Sequence, residues 1–195
     1  AYLVTSTIST PLYGKLSDIF GRKPLYVVSI GAFVVGSLLS GMATTMYELA
    51  AFRAVQGLGA GGLMALALII LGDMLSPRER TKYQAFFFGV WGVASVPVLG
   101  GFFADADSIL GVSGWRWIFF INVPLGIAAL FIILRVLHLP ATHQRVKIDW
   151  AGVSMLVVAI VPMLIVVEQG RTWGWTSGWV LGLGALAVVG IIGFL

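Results

Sequence analysis

The chain has 195 residues, of which 59% are hydrophobic and 10% charged. Ordinary soluble domains carry roughly 45–50% and about 25% respectively, so a water-facing surface is excluded and the bilayer is the fitting solvent. Cysteine is absent, which excludes disulfide and thiolate-metal chemistry; the net charge of +4 matters through its placement, not its sum.

Seven apolar stretches follow one another, at 1–13, 25–43, 49–71, 83–103, 117–137, 150–168 and 179–195. The first and last are read as truncated, and the other five have about 19–23 residues. A hydrocarbon core of roughly 30 Å needs about 20 helical residues. Backbone groups in lipid must be satisfied within the segment, so the spans are predicted to be helices. "LMALALIIL" lacks the dyad alternation of a membrane barrel. The expected fold is all-α and transmembrane, with about seven spans. The chain opens at Ala1 inside an apolar stretch and ends at Leu195 inside another. It reads as an internal piece of a longer membrane protein, with no signal peptide visible.

Lys15, Arg22, Lys23, Arg78, Arg80, Lys82, Arg135, Arg145 and Lys147 fall in or beside alternate loops; Arg116 and Arg171 lie in the opposite ones. The positive-inside rule puts the first group on the cytoplasmic side of the membrane. The basic charge is thus topology, which removes the main support for a nucleic-acid partner. Trp173, Trp175 and Trp179 suit the outer interface. "PLYGKLSD" (11–18) and "PVLGGFFAD" (97–105) form a weak repeat at opposite faces. It reads either as the inverted repeat common in secondary transporters or as two plain helix ends.

The first motif is "GKLSDIFGRKP", residues 14–24, predicted as a cytoplasmic loop. Gly14 would let helix ends approach. Asp18 and Arg22 stand four apart, within reach if helical. Gly21 supplies a turn, and Pro24 suits the first turn of a helix. Asp73 closes the 49–71 span on the same side, so an Asp18–Arg22–Asp73 charge cluster is expected.

The second is "RAVQGLGAGG", residues 53–62, which contains a literal G-x-G-x-x-G. A dinucleotide fold needs that motif between a strand and a helix, with an acid about 20 residues on. Here it lies inside an uninterrupted apolar run, and the next acid, Asp73, is too early. Dinucleotide binding is rejected. Arg53, Gly57 and Gly61 recur every four residues, so they share one helix face, and the glycines leave room for a neighbouring backbone. An arginine this deep costs roughly 2.5–3.5 kcal/mol near a helix centre and ordinarily faces a cavity or a partner. The weaker reading has Arg53 snorkelling outward with help from Glu48.

These segments resemble the motifs of the major facilitator superfamily. Gly14, Leu16, Asp18, Gly21, Arg22 and Lys23 match its signature loop G-x-L-x-D-x-x-G-R-[RK], with Ile19 departing where Arg is common. Arg53, Gln56, Gly57 and Gly59 match the fourth-helix motif R-x-x-Q-G-x-G of its antiporters. "GVWGVASVPVLGG" (89–101) is similar to the fifth-helix antiporter motif G-x-x-x-G-P-x-x-G-G. Gly92, Pro97, Gly100 and Gly101 match it; Val96 replaces a glycine, by substitution or by a short deletion. "GWRWIFFINVPLG" (114–126), "IDWAG" (148–152) and "TWGWTSG" (172–178) resemble segments of the fourteen-helix drug:proton antiporters.

The resemblance implies residues 1–137 as the second to sixth helices of an N-terminal bundle. Residues 138–195 would be a cytoplasmic link and two extra central helices. It further implies alternating-access export of small hydrophobic solutes against protons, in the cytoplasmic membrane, with no cofactor and no enzymatic step. Arg53, Gln56, Gly57 and Asn122 would serve proton coupling and the substrate path. Gly14, Asp18, Gly21, Arg22, Lys23 and Asp73 would gate the cytoplasmic side. Gly92, Pro97, Gly100 and Gly101 would form a kink. Its partners would be lipid, protons, solutes and the remainder of the transporter. Export of a lipid, sugar or siderophore is the alternative, as is a non-transporting scaffold or receptor. Trp91 and Phe86–Phe88 line a pocket or face lipid. His138 and His143 read as solvated loop residues rather than metal ligands.

Overall fold

A computed structural model describes residues 1–94, 108–109, 111–137 and 149–194, with only the backbone for 90–94 and 109. Pro97, Gly100, Gly101, the second half of the repeat, His138 and His143 lie outside the described residues. The helices are α1 (Tyr2–Phe20), α2 (Arg22–Met42), α3 (Met46–Met74), α4 (Pro77–Ala94), α5 (Gly114–Phe120), α6 (Asn122–Val136), α7 (Trp150–Trp173) and α8 (Gly178–Phe194). Two short antiparallel strands, β1 (Ser108–Ile109) and β2 (Val112–Ser113), pair Ser108 with Ser113 before α5. Among the described residues four segments are long and apolar enough to cross a bilayer: α2, α3, α5–α6 taken together, and α7. α8 is apolar but shorter.

α3 and α4 start ahead of their apolar stretches because their polar N-terminal ends are capped. At the start of α3, the Glu48 amide donates to Thr45 Oγ1 at 3.2 Å. Glu48 Oε2 accepts from the Thr44 and Thr45 amides and from Thr44 Oγ1. This capping box satisfies amides that have no partner within the helix. The Ser76 hydroxyl and amide donate to Glu79 at the start of α4 and hold that carboxyl below its ordinary range. α4 therefore begins at Pro77, ahead of the apolar stretch predicted from 83.

One expectation needs correction, and one span carries a local irregularity. The segment read as a loop, 14–24, is almost all helix: α1 runs to Phe20, and Gly21 alone separates it from α2. The stretch 117–137 lies within one apolar segment, Gly114–Val136, with a local turn at Ile121 between α5 and α6. Pro124 explains the turn. It has no amide to offer the Phe120 carbonyl four residues back, and its ring crowds that carbonyl.

α3 is the centre of the bundle, packed along both α1 and α2, which touch each other little despite their one-residue connection. α5 and α6 lie against α2. α7 and α8 form a hairpin that meets the rest through α7 and α1. Its seam is small: a Cβ on Gly190 would overlap the backbone of Val158 and Ala159, one turn before Pro162.

Candidate functional site

The glycines of α3 serve two neighbours. Gly57 and Gly61 face α1, where a Cβ would overlap the Tyr2 and Ser6 carbonyls and the hydroxyls of Thr5 and Ser9. Ser9 Oγ reaches across to the Leu58 carbonyl at 3.3 Å, whereas the Thr10 hydroxyl donates within α1 to the Ser6 carbonyl at 2.7 Å and stands 3.5 Å from that of Gly61. Gly59 faces α2 instead, against the Ser29–Phe33 turn, and Gly62 sits between Ser29 of α2 and the Tyr13 ring of α1. α2 returns the approach at Gly36, where a Cβ would lie 2.6 Å from Gln56 Cα. Small residues at such crossings replace the hydrophobic drive that lipid cannot supply, because close backbones gain dispersion and weak polar contacts.

Arg53 sits one turn before this crossing, half-buried. Its Nη1 donates to Gln56 Oε1 at 2.7 Å. Gln56 is 1% exposed, and its Nε2 donates to Ser37 Oγ at 2.6 Å. The Ser37 hydroxyl then donates to the Phe33 carbonyl at 2.7 Å. Every member of this chain has a partner, as a buried polar group requires. The guanidinium carbon lies 4.2 Å from the Tyr2 ring centre and 5.4 Å from that of Phe119. Both are within cation–π range. Among the described residues no carboxylate pairs with Arg53. Glu48 is committed to the α3 cap, which removes it as an aid to snorkelling.

The opposite end of α3 carries the charge cluster. Arg22 Nη1 donates to Asp18 Oδ1 at 2.6 Å and to Ser17 Oγ at 2.6 Å; Arg22 Nε donates to Asp73 Oδ2 at 2.8 Å. One guanidinium therefore joins α1, α2 and α3. Asp18 and Arg22 do not share a helix, as their spacing suggested. Gly21, at φ 93° and ψ 151°, turns the chain so that the first residue of α2 meets the last turn of α1. Lys23 Nζ reaches the Leu134 carbonyl at 3.1 Å, at the end of α6. Gly14 is not a tight approach, since a Cβ there would have Ile69 Cδ1 at 3.8 Å as its nearest neighbour.

Other expected site residues stand apart. Asn122 Nδ2 donates to the Ile118 carbonyl at 3.2 Å, bridging the α5–α6 turn. Gly92 lies in the last turns of α4. Phe86 and Phe88 are exposed, with Phe88 edge-on to Phe87. Several contributors went unnoticed in the sequence: Ser37, Gly36, Tyr2, Phe119 and Arg116. A signal existed for two of them. Gly36–Ser40 and Ser37–Gly41 are small residues four apart in an apolar helix, the same mark that singled out Gly57 and Gly61.

Three curated relatives are similar to the whole of the chain. Multidrug transporter protein MdtP of Bacillus subtilis (strain 168) is 39% identical over 198 residues, covering 100% of this chain and 36% of the relative. Multidrug resistance protein 3 of the same organism is 40% identical over 197 residues, covering 100% and 37%. Efflux pump dotC of Dothistroma septosporum (strain NZE10 / CBS 128990) is 36% identical over 202 residues, covering 100% and 34%. The chain thus spans about a third of the length of the curated relatives it matches. The family model described as Major Facilitator Superfamily matches residues 1–195, taking in the Arg22 cluster, the Arg53 chain and the paired helices alike, and the chain belongs to that superfamily.

Proposed function

We propose that the chain is part of a proton-coupled exporter of hydrophobic, drug-like solutes, working by alternating access in the cytoplasmic membrane. The observation that carries this reading is Arg53, a membrane-depth cation hydrogen-bonded to the buried Gln56 and set between two aromatic rings. An intramembrane charge held this way is expensive to insert and marks an ion or substrate path. The relatives' names, multidrug transporter, multidrug resistance protein and efflux pump, support an exported solute.

In this reading Arg53 shifts its contacts as a proton-carrying group elsewhere in the full transporter loads and unloads. Gln56 and Gly57 shape the path beside it, with Asn122 on α6. Asp18, Gly21, Arg22, Lys23 and Asp73 hold the cytoplasmic side of the bundle and release it when the path opens there. Gly92 would take part in the kink that the resemblance implies, with Pro97, Gly100 and Gly101, which lie outside the described residues. Residues 1–137 form the helical bundle, and 138–195 supply the link and two additional helices.

The test is proton movement in liposomes holding the full-length protein. Adding a hydrophobic cationic dye should move protons opposite to the dye. Dye movement with no proton movement would contradict the coupling, and no dye movement would contradict the cargo class.

A further inference from the structure

α5 is the seven-residue start of the Gly114–Val136 span and is offset from α6 at Ile121. Its position is set both by its continuation into α6 and by contacts with its neighbours. Those contacts converge on the end of α2. Arg116 Nη1 donates to the Gly41 carbonyl at 3.0 Å, and Nη2 to the Ala43 carbonyl at 2.9 Å. These are carbonyls that a helix end leaves without partners, and a cation is the fitting donor for them. Phe120 fills the place where Gly41 lacks a Cβ. The Arg116 guanidinium also lies over the Trp115 ring at 5.1 Å, and Trp115 stands edge-to-face with Phe119, four residues on, with ring centres at 6.1 Å. Phe119 lies over the Arg53 guanidinium.

We infer that Phe119 is a positioning residue for Arg53, held over the guanidinium by the Arg116 clamp on the end of α2. Tyr2 covers the guanidinium from α1 and Phe119 from α5, while Gln56 holds it from within α3. The arginine is thereby confined by three elements without a carboxylate among the described residues. An aromatic ring holds a cation without neutralising it and releases it at a smaller cost than an ion pair buried in lipid. The ring also reports the seat of α5. If Arg116 lets go of α2, Phe119 leaves Arg53.

The effect on transport rests on the proposed role of Arg53; the confinement itself does not. Two readouts on the full-length protein therefore separate the two. The first is phenylglyoxal modification of individual arginines, followed by mass spectrometry. Phe119→Leu is expected to raise the modification rate of Arg53 about threefold or more, the scale of a lost cation–π contact. Phe119→Tyr, which keeps the ring, stays near wild type. Arg116→Gln raises the Arg53 rate as Phe119→Leu does. An Arg53 rate unchanged in Phe119→Leu would overturn the inference. So would equal rises at Arg53 and Arg116 in that variant, which would report a melted α5. The second readout is the pH profile of dye export, expected to shift in Phe119→Leu and not in Phe119→Tyr. If the modification pattern holds while wild type moves no protons, the transport reading fails and the positioning of Arg53 stands.

Discussion

Arg22 Nε lies 2.8 Å from Asp73 Oδ2, joining the first residue of α2 to the end of α3 across 51 positions of sequence. The same guanidinium reaches Asp18 on α1 at 2.6 Å. Single exposed ion pairs contribute little, with medians near 0–1 kcal/mol. Both carboxylates here are partly exposed, so the cluster's value lies in joining three helices at one point. Asp73→Asn should therefore change the stability of the full-length protein by less than about 1 kcal/mol. It should nevertheless alter the export rate if the joint opens and closes during transport. Parallel melting and dye-export measurements check this, and an unchanged export rate would count against a gating role.

Gly21 is the whole connection between α1 and α2. Its φ of 93° with ψ of 151° lies in a region that side-chain-bearing residues avoid, at roughly 1–3 kcal/mol each. Gly21→Ala should lower stability by that amount and loosen the Arg22–Asp18 contact. Gly14→Ala is the comparison, since its Cβ would meet only Ile69 Cδ1 at 3.8 Å. Thermal melting in detergent should show a clear loss for the first and a near-unchanged midpoint for the second. Equal losses would contradict the assignment of the turn to Gly21.

The α3 crossings predict a graded series. A Cβ on Gly61 would overlap the Ser6 carbonyl, and one on Gly59 would lie 2.7 Å from Phe33 Cα. Neither obstacle is a flexible side-chain end, so the helices must part. Gly61→Val and Gly59→Val should each cost on the order of 1–3 kcal/mol as overpacking. They should separate α3 from different partners, α1 in the first case and α2 in the second. Spin-label distances between α3 and each neighbour would distinguish them. An increase at the same interface in both variants would contradict the two-faced arrangement.

Arg116 donates two charge-assisted bonds to the end of α2. Hydrogen bonds to charged groups contribute roughly 1.5–3 kcal/mol. Arg116→Ala should therefore destabilise the full-length protein by about 2–3 kcal/mol, and Arg116→Lys should recover only part, because one ammonium cannot span both carbonyls in the same fork. Melting curves of the two variants would decide this; a fully restored lysine variant would argue against the bidentate clamp.

Much of this was legible in the sequence because lipid imposes simple demands. The spans followed from length and apolarity, and the Gly57–Gly61 face from a spacing of four. The Asp18–Arg22–Asp73 cluster followed from charge at one side of the membrane. What was missed depends on relationships that periodicity does not encode. The loop read at 14–24 is helix to Phe20, since polar residues continue a helix readily once it leaves an apolar span. The approach of Gly59 to α2 falls outside the spacing of four that marks the Gly57–Gly61 face. Tyr2 and Phe119 are ordinary aromatics in sequence, and only the meeting of three helices brings them to one guanidinium. Arg116 was read only as a charge in an opposite loop, because nothing local names the distant carbonyls it caps.

The central claim is that Arg53 couples proton and solute movement. Its most direct test is dye-driven proton movement in liposomes containing full-length Arg53→Ala protein, compared with wild type at matched protein density. The account predicts exchange in wild type, with both fluxes falling by an order of magnitude or more in Arg53→Ala, as befits loss of a functional intramembrane charge. Proton-coupled export at the wild-type rate in Arg53→Ala would contradict it.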